Sequence, residues 1–149
     1  MNICIASDHA GFCQKQKLVE YLRGFGHEVA DLGPENEEKV DYPDYAALVA
    51  RAVAAGEYER GVLVCGTGIG MAIAANKVRG VRAANVVAPE FAALAREHND
   101  ANVIALSGRF VSEETNERIL NAFLTTDFGG GRHAGRVEKI MALEQVERA

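Results

Sequence analysis

The chain has 149 residues, 48% hydrophobic and 25% charged, with a formal net charge of −5 at pH 7. That length suits one domain spanning 1–149 with a core of its own, and the balance is not that of a disordered chain. The acidic excess argues against a nucleic-acid partner, which needs concentrated Lys and Arg, but not against a local site for a small anion.

The opening MNICIASDHAG lacks the apolar core and basic flank of a signal peptide, and no apolar run nears the ~20 residues that span a bilayer. No membrane partner and a cytoplasmic location are therefore expected. Cys4, Cys13 and Cys65 are odd in number and at no metal-ligand spacing. Neither a disulfide framework nor a metal site is expected.

Short apolar runs alternate with stretches of helical period. Asn2–Ala6 reads as a strand, followed by the polar turn SDHAG. Over Phe12–Phe25, Leu18, Val19, Leu22 and Phe25 recur at helix spacing, with Gly24 and Gly26 closing the element. His27–Leu32 is a second strand, ending at Gly33-Pro34. Glu35–Asp44 has five acidic residues in ten and reads as an exposed loop. A helix starts near Pro43 and Asp44, and Leu48, Val49, Ala52 and Val53 continue its buried face.

Gly61–Cys65 is apolar without alternation, as expected of a central parallel strand buried on both faces. Met71–Lys77 continues as helix, and Val81–Val87 is a fourth strand. Pro89–His98 is a helix, Asn102–Leu106 a fifth strand, and Glu113–Leu124 a further helix. After Gly129-Gly130-Gly131 a last helix runs from about Arg132 to the end. The alternation predicts a three-layer α/β/α sandwich around a five-stranded parallel sheet, Rossmann-like or flavodoxin-like. Ligands of such sheets bind beyond the carboxyl ends of the strands.

Four constellations bear on chemistry. In Cys65-Gly66-Thr67-Gly68-Ile69-Gly70, three glycines between strand and helix let backbone amides approach an anion, and a thiol beside them is drawn toward thiolate. The same loop offers a base and a place for developing oxyanion charge. The plainer reading is a buried strand-end cysteine beside packing glycines. The spacing fits neither G-x-G-x-x-G nor a P-loop, which weakens a dinucleotide or nucleoside-triphosphate site. Asp8-His9 either holds hydroxyls or phosphate, or Asp8 simply caps the first helix. His98-Asn99-Asp100 either moves protons, or His98 complements a helix C-terminus. Arg132 and Arg136, four apart, share a helix face and suit a phosphate clamp, or form a solvated surface.

The stretches SDHAG (Ser7–Gly11), DYPDYA (Asp41–Ala46), CGTGIGMAIAANK (Cys65–Lys77), REHNDANV (Arg96–Val103) and GGRHAGRVEKI (Gly130–Ile140) stand in the order of one family. The chain resembles the ribose/galactose isomerase family, which includes ribose-5-phosphate isomerase B and galactose-6-phosphate isomerase subunits. The resemblance implies interconversion of ribose 5-phosphate and ribulose 5-phosphate through an enediolate, with no cofactor. It implies Cys65 as base, with Thr67 and the amides of Gly66, Gly68, Ile69 and Gly70 orienting the thiol and stabilising the enediolate. It implies His98 for ring opening, Asp8 and Asn99 for sugar hydroxyls, and His9, Arg109, Arg132 and Arg136 for the phosphate end.

A homodimer with shared sites, or further association to a tetramer, is also implied. Val137, Ile140 and Met141 of the last helix would face the partner. Three departures stand out. Ser107 replaces an expected glycine and bears on Arg109, Asn85–Pro89 is unusual, and Met71 stands where some relatives carry a glutamate base. Alternatives are a hexose 6-phosphate (allose or galactose 6-phosphate) isomerase and, in other classes, a non-catalytic nucleotide-binding module or a thiol redox enzyme. The last is disfavoured by the absence of C-x-x-C.

Overall fold

The computed structural model describes residues 1–146. Five parallel strands form one sheet: β1 (Asn2–Ser7), β2 (Glu28–Asp31), β3 (Arg60–Cys65), β4 (Ala83–Asn85) and β5 (Val103–Ser107). Six helices accompany it: α1 (Phe12–Gly24), α2 (Tyr42–Ala54), α3 (Ile69–Ala75), α4 (Pro89–Asn99), α5 (Glu113–Thr125) and α6 (Arg132–Val146).

The strand order is β2-β1-β3-β5-β4. The expected sandwich is present, but β5 lies inside β4, unlike the flavodoxin order in which strand four precedes five. Burial explains the exchange. Every residue of β5 is buried, as the run VIALS requires, whereas β4 is a half-exposed edge of three residues. The predicted fourth strand over Val81–Val87 therefore shrinks. Val81 and Val86 are buried on either side of those three residues, and Val86 N still donates to Ala105 O of β5 at 3.3 Å.

Side chains alternate across the sheet and sort the helices into two layers. Ile3, Ile5, Val62, Val64, Ile104 and Leu106 meet α1, α4 and α5 through residues such as Leu18, Ala92 and Phe123. Cys4, Ala6, Leu63, Cys65, Val103 and Ala105 meet α2 and α3. Small residues on this second face bring its helices close. A Cβ on Gly61 would lie 2.5 Å from Val49 Cγ1. Asp41 precedes the first turn of α2, with Pro43 inside it. The buried face of α2 is Ala46, Val49, Ala50 and Val53, so the expected Leu48 points to solvent. On α1, Phe25 is likewise exposed.

Lys15 of α1 is fully buried, which its charge did not suggest. Its Nζ donates to both Asp31 oxygens at 2.8 and 3.0 Å and to the Pro34 carbonyl at 2.7 Å, tying α1 to the end of β2. On α5, Ser112 Oγ accepts from Thr115 N at 3.1 Å and caps the helix. Helix α6 touches its own chain beyond α3, where Glu144 accepts from Gly80 N at 2.9 Å through its side chain. Ile140 and Leu143 remain exposed.

Candidate active site

Parallel strands put all their carboxyl ends at one pole, and three loops converge there. Gly11, after β1, lies so close to β3 that a Cβ would sit 2.4 Å from the Val64 carbonyl oxygen. The turn after β5 is tied to the loop after β3. Gly108 N donates to Cys65 O at 2.8 Å, and Arg109 N donates to Gly66 O at 3.2 Å. Ser107 completes that link: its hydroxyl donates to Gly66 O at 2.8 Å and accepts from Phe110 N at 3.0 Å. The unexpected serine thus fastens the turn. The Arg109 side chain lies over Gly66, with Nη1 3.3 Å from where a Cβ would stand.

Cys65 is buried at the end of β3, and its sulfur accepts the Gly68 N–H at 3.0 Å. Gly68 is left-handed (φ 83°) and packed against β5. Thr67 is exposed, and its Oγ1 accepts from Ile69 N at 3.1 Å, so this hydroxyl shapes the loop. Gly70 is covered by Tyr42, whose ring would stand 2.6 Å from a Cβ there. The expected helix begins earlier, at Ile69, and has seven residues. Such a short helix has a weak macrodipole, so the field at the sulfur comes chiefly from the nearest loop amides. Cys4 lies opposite Gly61, towards the other end of β3, and burial pushes its thiol up to about 12.

Asp8 Oδ1 accepts from Gly11 N at 3.0 Å, so the carboxylate braces the turn, and Gly11 itself is the N-cap of α1. His9 Nδ1 accepts from Val40 N at 3.3 Å, which leaves Nε2 as the ring's donor in the neutral form. Tyr42 and the Val40 amide are neighbours that sequence reasoning missed, although DYPDYA contains Tyr42; Asn85 stands in the unusual run Asn85–Pro89, which gave no hint of its contacts.

His98, Asn99, Arg132 and Arg136 lie elsewhere. Helix α4 descends from the carboxyl end of β4 and finishes at the opposite pole, where Asn102 O accepts from Gly61 N at the start of β3. The six residues of β3 separate the poles by roughly 17–20 Å. There the His98 and His133 rings stack at 4.3 Å and 16°. Gly129 N, donating to Glu97 O at 2.9 Å, holds the start of α6 nearby. Asn99 is exposed, and its carbonyl accepts from Arg82 Nε at 3.1 Å.

Arg132 and Arg136 are exposed, and no carboxylate pairs with them among the described residues. The His133 imidazolium is disfavoured by desolvation and then by His98, Arg132 and Arg136, so its pKa falls below the usual histidine range. This crowding of cations suits an anion. One chain therefore carries two clusters at opposite poles: a thiol with loop amides, and an imidazole pair with two guanidinium groups. Among the described residues, no three His, Cys, Asp or Glu side chains gather to hold a metal ion. No described helix is long and apolar enough to cross a membrane.

Residues 3–140 match the Ribose/Galactose Isomerase family. The chain is 48% identical over 143 residues to ribose-5-phosphate isomerase B of Escherichia coli K12, covering 96% of each. It superposes on the Clostridium thermocellum ribose-5-phosphate isomerase B structure with a TM-score of 0.97 at 46% identity, covering 99% of each chain. The Mycoplasma genitalium ribose-5-phosphate isomerase B structure, with bound ribulose 5-phosphate, gives 0.93 at 48% identity, covering 97% of this chain and 96% of that one. On residues 3–140 and on these likenesses along nearly its whole length, the chain belongs to the ribose/galactose isomerase family.

Proposed function

We propose that this protein is a cofactor-independent aldose–ketose isomerase that interconverts ribose 5-phosphate and ribulose 5-phosphate. The observation that carries the reading is the Cys65 sulfur beyond β3, held by the Gly68 N–H at 3.0 Å in a glycine loop. A cysteine sulfur in its thiolate form can take a carbon-bound proton, and the loop amides beside it can face the oxyanion that results. The bound ribulose 5-phosphate of the Mycoplasma genitalium relative supports the substrate class.

In the proposed reaction His98 opens the furanose by moving a proton between the ring oxygen and the C1 hydroxyl. The Cys65 thiolate takes the C2 proton of the open aldose, and the electron pair forms the C1–C2 double bond of an enediolate. Loop amides stabilise the oxyanion. The Cys65 thiol returns the proton to C1, while the C2 hydroxyl proton passes to the oxygen on C1, giving the ketose. Asp8 and Asn99 contact sugar hydroxyls. His9, Arg109, Arg132 and Arg136 hold the phosphate end.

Such a site needs two copies of the chain, because Cys65 and His98 lie at opposite poles of one. In a homodimer the thiol half-site of one copy meets the imidazole–guanidinium half-site of the other. The exposed Ile73, Phe91 and Leu94, on the helices either side of the edge strand β4, support such an interface. The test is turnover of aldose phosphates with four, five and six carbons. The fastest kcat/KM is expected with ribose 5-phosphate. Preference for allose or galactose 6-phosphate would move the assignment to a hexose phosphate isomerase. Turnover of none would revive a nucleotide-binding module.

A further inference from the structure

Asn85 is the last residue of β4 and one of the departures noted in the sequence. Its Nδ2 donates to two backbone carbonyls, Thr67 O at 3.2 Å and Ala105 O at 3.1 Å. Both amide hydrogens are thereby used. With two carbonyls as partners the nitrogen must be the atom facing them, since a flipped amide would set oxygen against oxygen. Ala105 belongs to β5 and is the register partner of Asn85, so the donor stands on a fixed platform.

The Thr67 carbonyl and the Gly68 N–H belong to one planar trans peptide and point to opposite sides of it. The carbonyl edge is held by Asn85, and the N–H edge meets Cys65 Sγ at 3.0 Å. Gly68, at φ 83°, lacks the Cβ that would restrict this peptide, so the backbone alone does little to stop it rotating. Rotated, it would turn a carbonyl oxygen toward the sulfur and disfavour negative charge there.

We propose that Asn85 is a positioning residue for the proton-transfer base: by gripping the Thr67 carbonyl it aims the Gly68 N–H at Cys65 and so favours the thiolate. Other charged or titratable groups surround this loop. Arg109 lies over Gly66 from the turn after β5, Tyr42 covers Gly70 from α2, and Asp8 and His9 come from the turn after β1. Cys4 of β1 shares the core layer of Cys65. None of these contacts Asn85 by hydrogen bond, so replacing Asn85 leaves them in place. The catalytic consequence rests on Cys65 as base, whereas the effect on the thiol does not.

The deciding variant is Asn85→Leu, which keeps side-chain bulk and removes the donor. Asn85→Ala serves if Leu is not tolerated. Thiolate formation at Cys65 is followed by ultraviolet absorbance against pH, as a difference from the same protein carrying Cys65→Ala. The titration is expected to move upward, because the variant loses the fixed N–H donor to the sulfur. In parallel, kcat for ribose 5-phosphate should fall about tenfold at neutral pH with KM within about twofold, and recover at alkaline pH. An unmoved titration in the folded variant overturns the proposal. A moved titration with unmoved kcat would leave it standing and remove Cys65 as the base.

Discussion

Replacing Gly68 by alanine probes the loop that holds the Cys65 sulfur. A Cβ at Gly68 would lie 2.3 Å from Asn85 Nδ2 and 3.0 and 3.1 Å from the main-chain carbons of Leu106 and Ala105. The β5 backbone cannot yield, so Asn85 must move and lose its two hydrogen bonds, at about 1 kcal/mol each. A left-handed alanine adds about 1–2 kcal/mol. The sum is a loss of about 3–4 kcal/mol, or roughly 1.5–2 M in urea midpoint for a chain with a slope near 2 kcal/mol/M. Gly135→Ala in α6 is the control: it meets nothing within 4 Å and should be neutral or stabilising by about 0.5–1 kcal/mol. Urea unfolding followed by circular dichroism measures both. A Gly68→Ala variant within about 0.5 kcal/mol of wild type would refute the proposed packing of the loop.

Two further outcomes concern the opposite pole. Arg132→Ala and Arg136→Ala should each raise KM for ribose 5-phosphate about tenfold with kcat within about threefold, the loss of one charge-assisted hydrogen bond. Unchanged KM in both would eliminate the phosphate clamp. His133 has a folded pKa below its unfolded value, so the unfolded state binds more protons as pH falls from near 6.5 toward the folded value. Its contribution is therefore present above that window and lost on acidification through it. His133→Asn should flatten the decline of the urea midpoint over that window, and proton NMR should show inorganic phosphate raising the His133 pKa. A histidine titration indifferent to phosphate would contradict an anion site there.

Much of the fold was legible because burial leaves a plain trace. The unalternating GVLVC marks a strand covered on both faces, and β3 is buried from Gly61 to Cys65. Legibility failed where burial did not follow the local pattern. Val81–Val87 looked like a full strand, yet only three residues join the sheet edge. Leu48 fitted the helical period but faces solvent, because small alanines let α2 approach the sheet on a neighbouring stripe. Lys15 gave no sign of burial, since its partners Asp31 and Pro34 lie sixteen and nineteen residues on.

The site divides in the same way. The Cys65 loop and the paired arginines carry local patterns that can be read from residue type and spacing. Asn85, Tyr42 and the Val40 amide act through contacts made only after the strands assemble. The separation of His98 from Cys65 was implicit in the alternation itself. A residue that ends a helix before a strand lies at the amino pole, away from one that ends a strand.

The most direct test of a composite site mixes two inactive proteins. Cys65→Ala and His98→Ala are purified separately, combined in equal amounts, dissociated and reassociated, and assayed with ribose 5-phosphate. Random pairing makes about half the dimers mixed, each with one intact site of two, so activity should return to about a quarter of wild type. Recovery no greater than the sum of the two parents would contradict a site built from Cys65 of one copy and His98 of another.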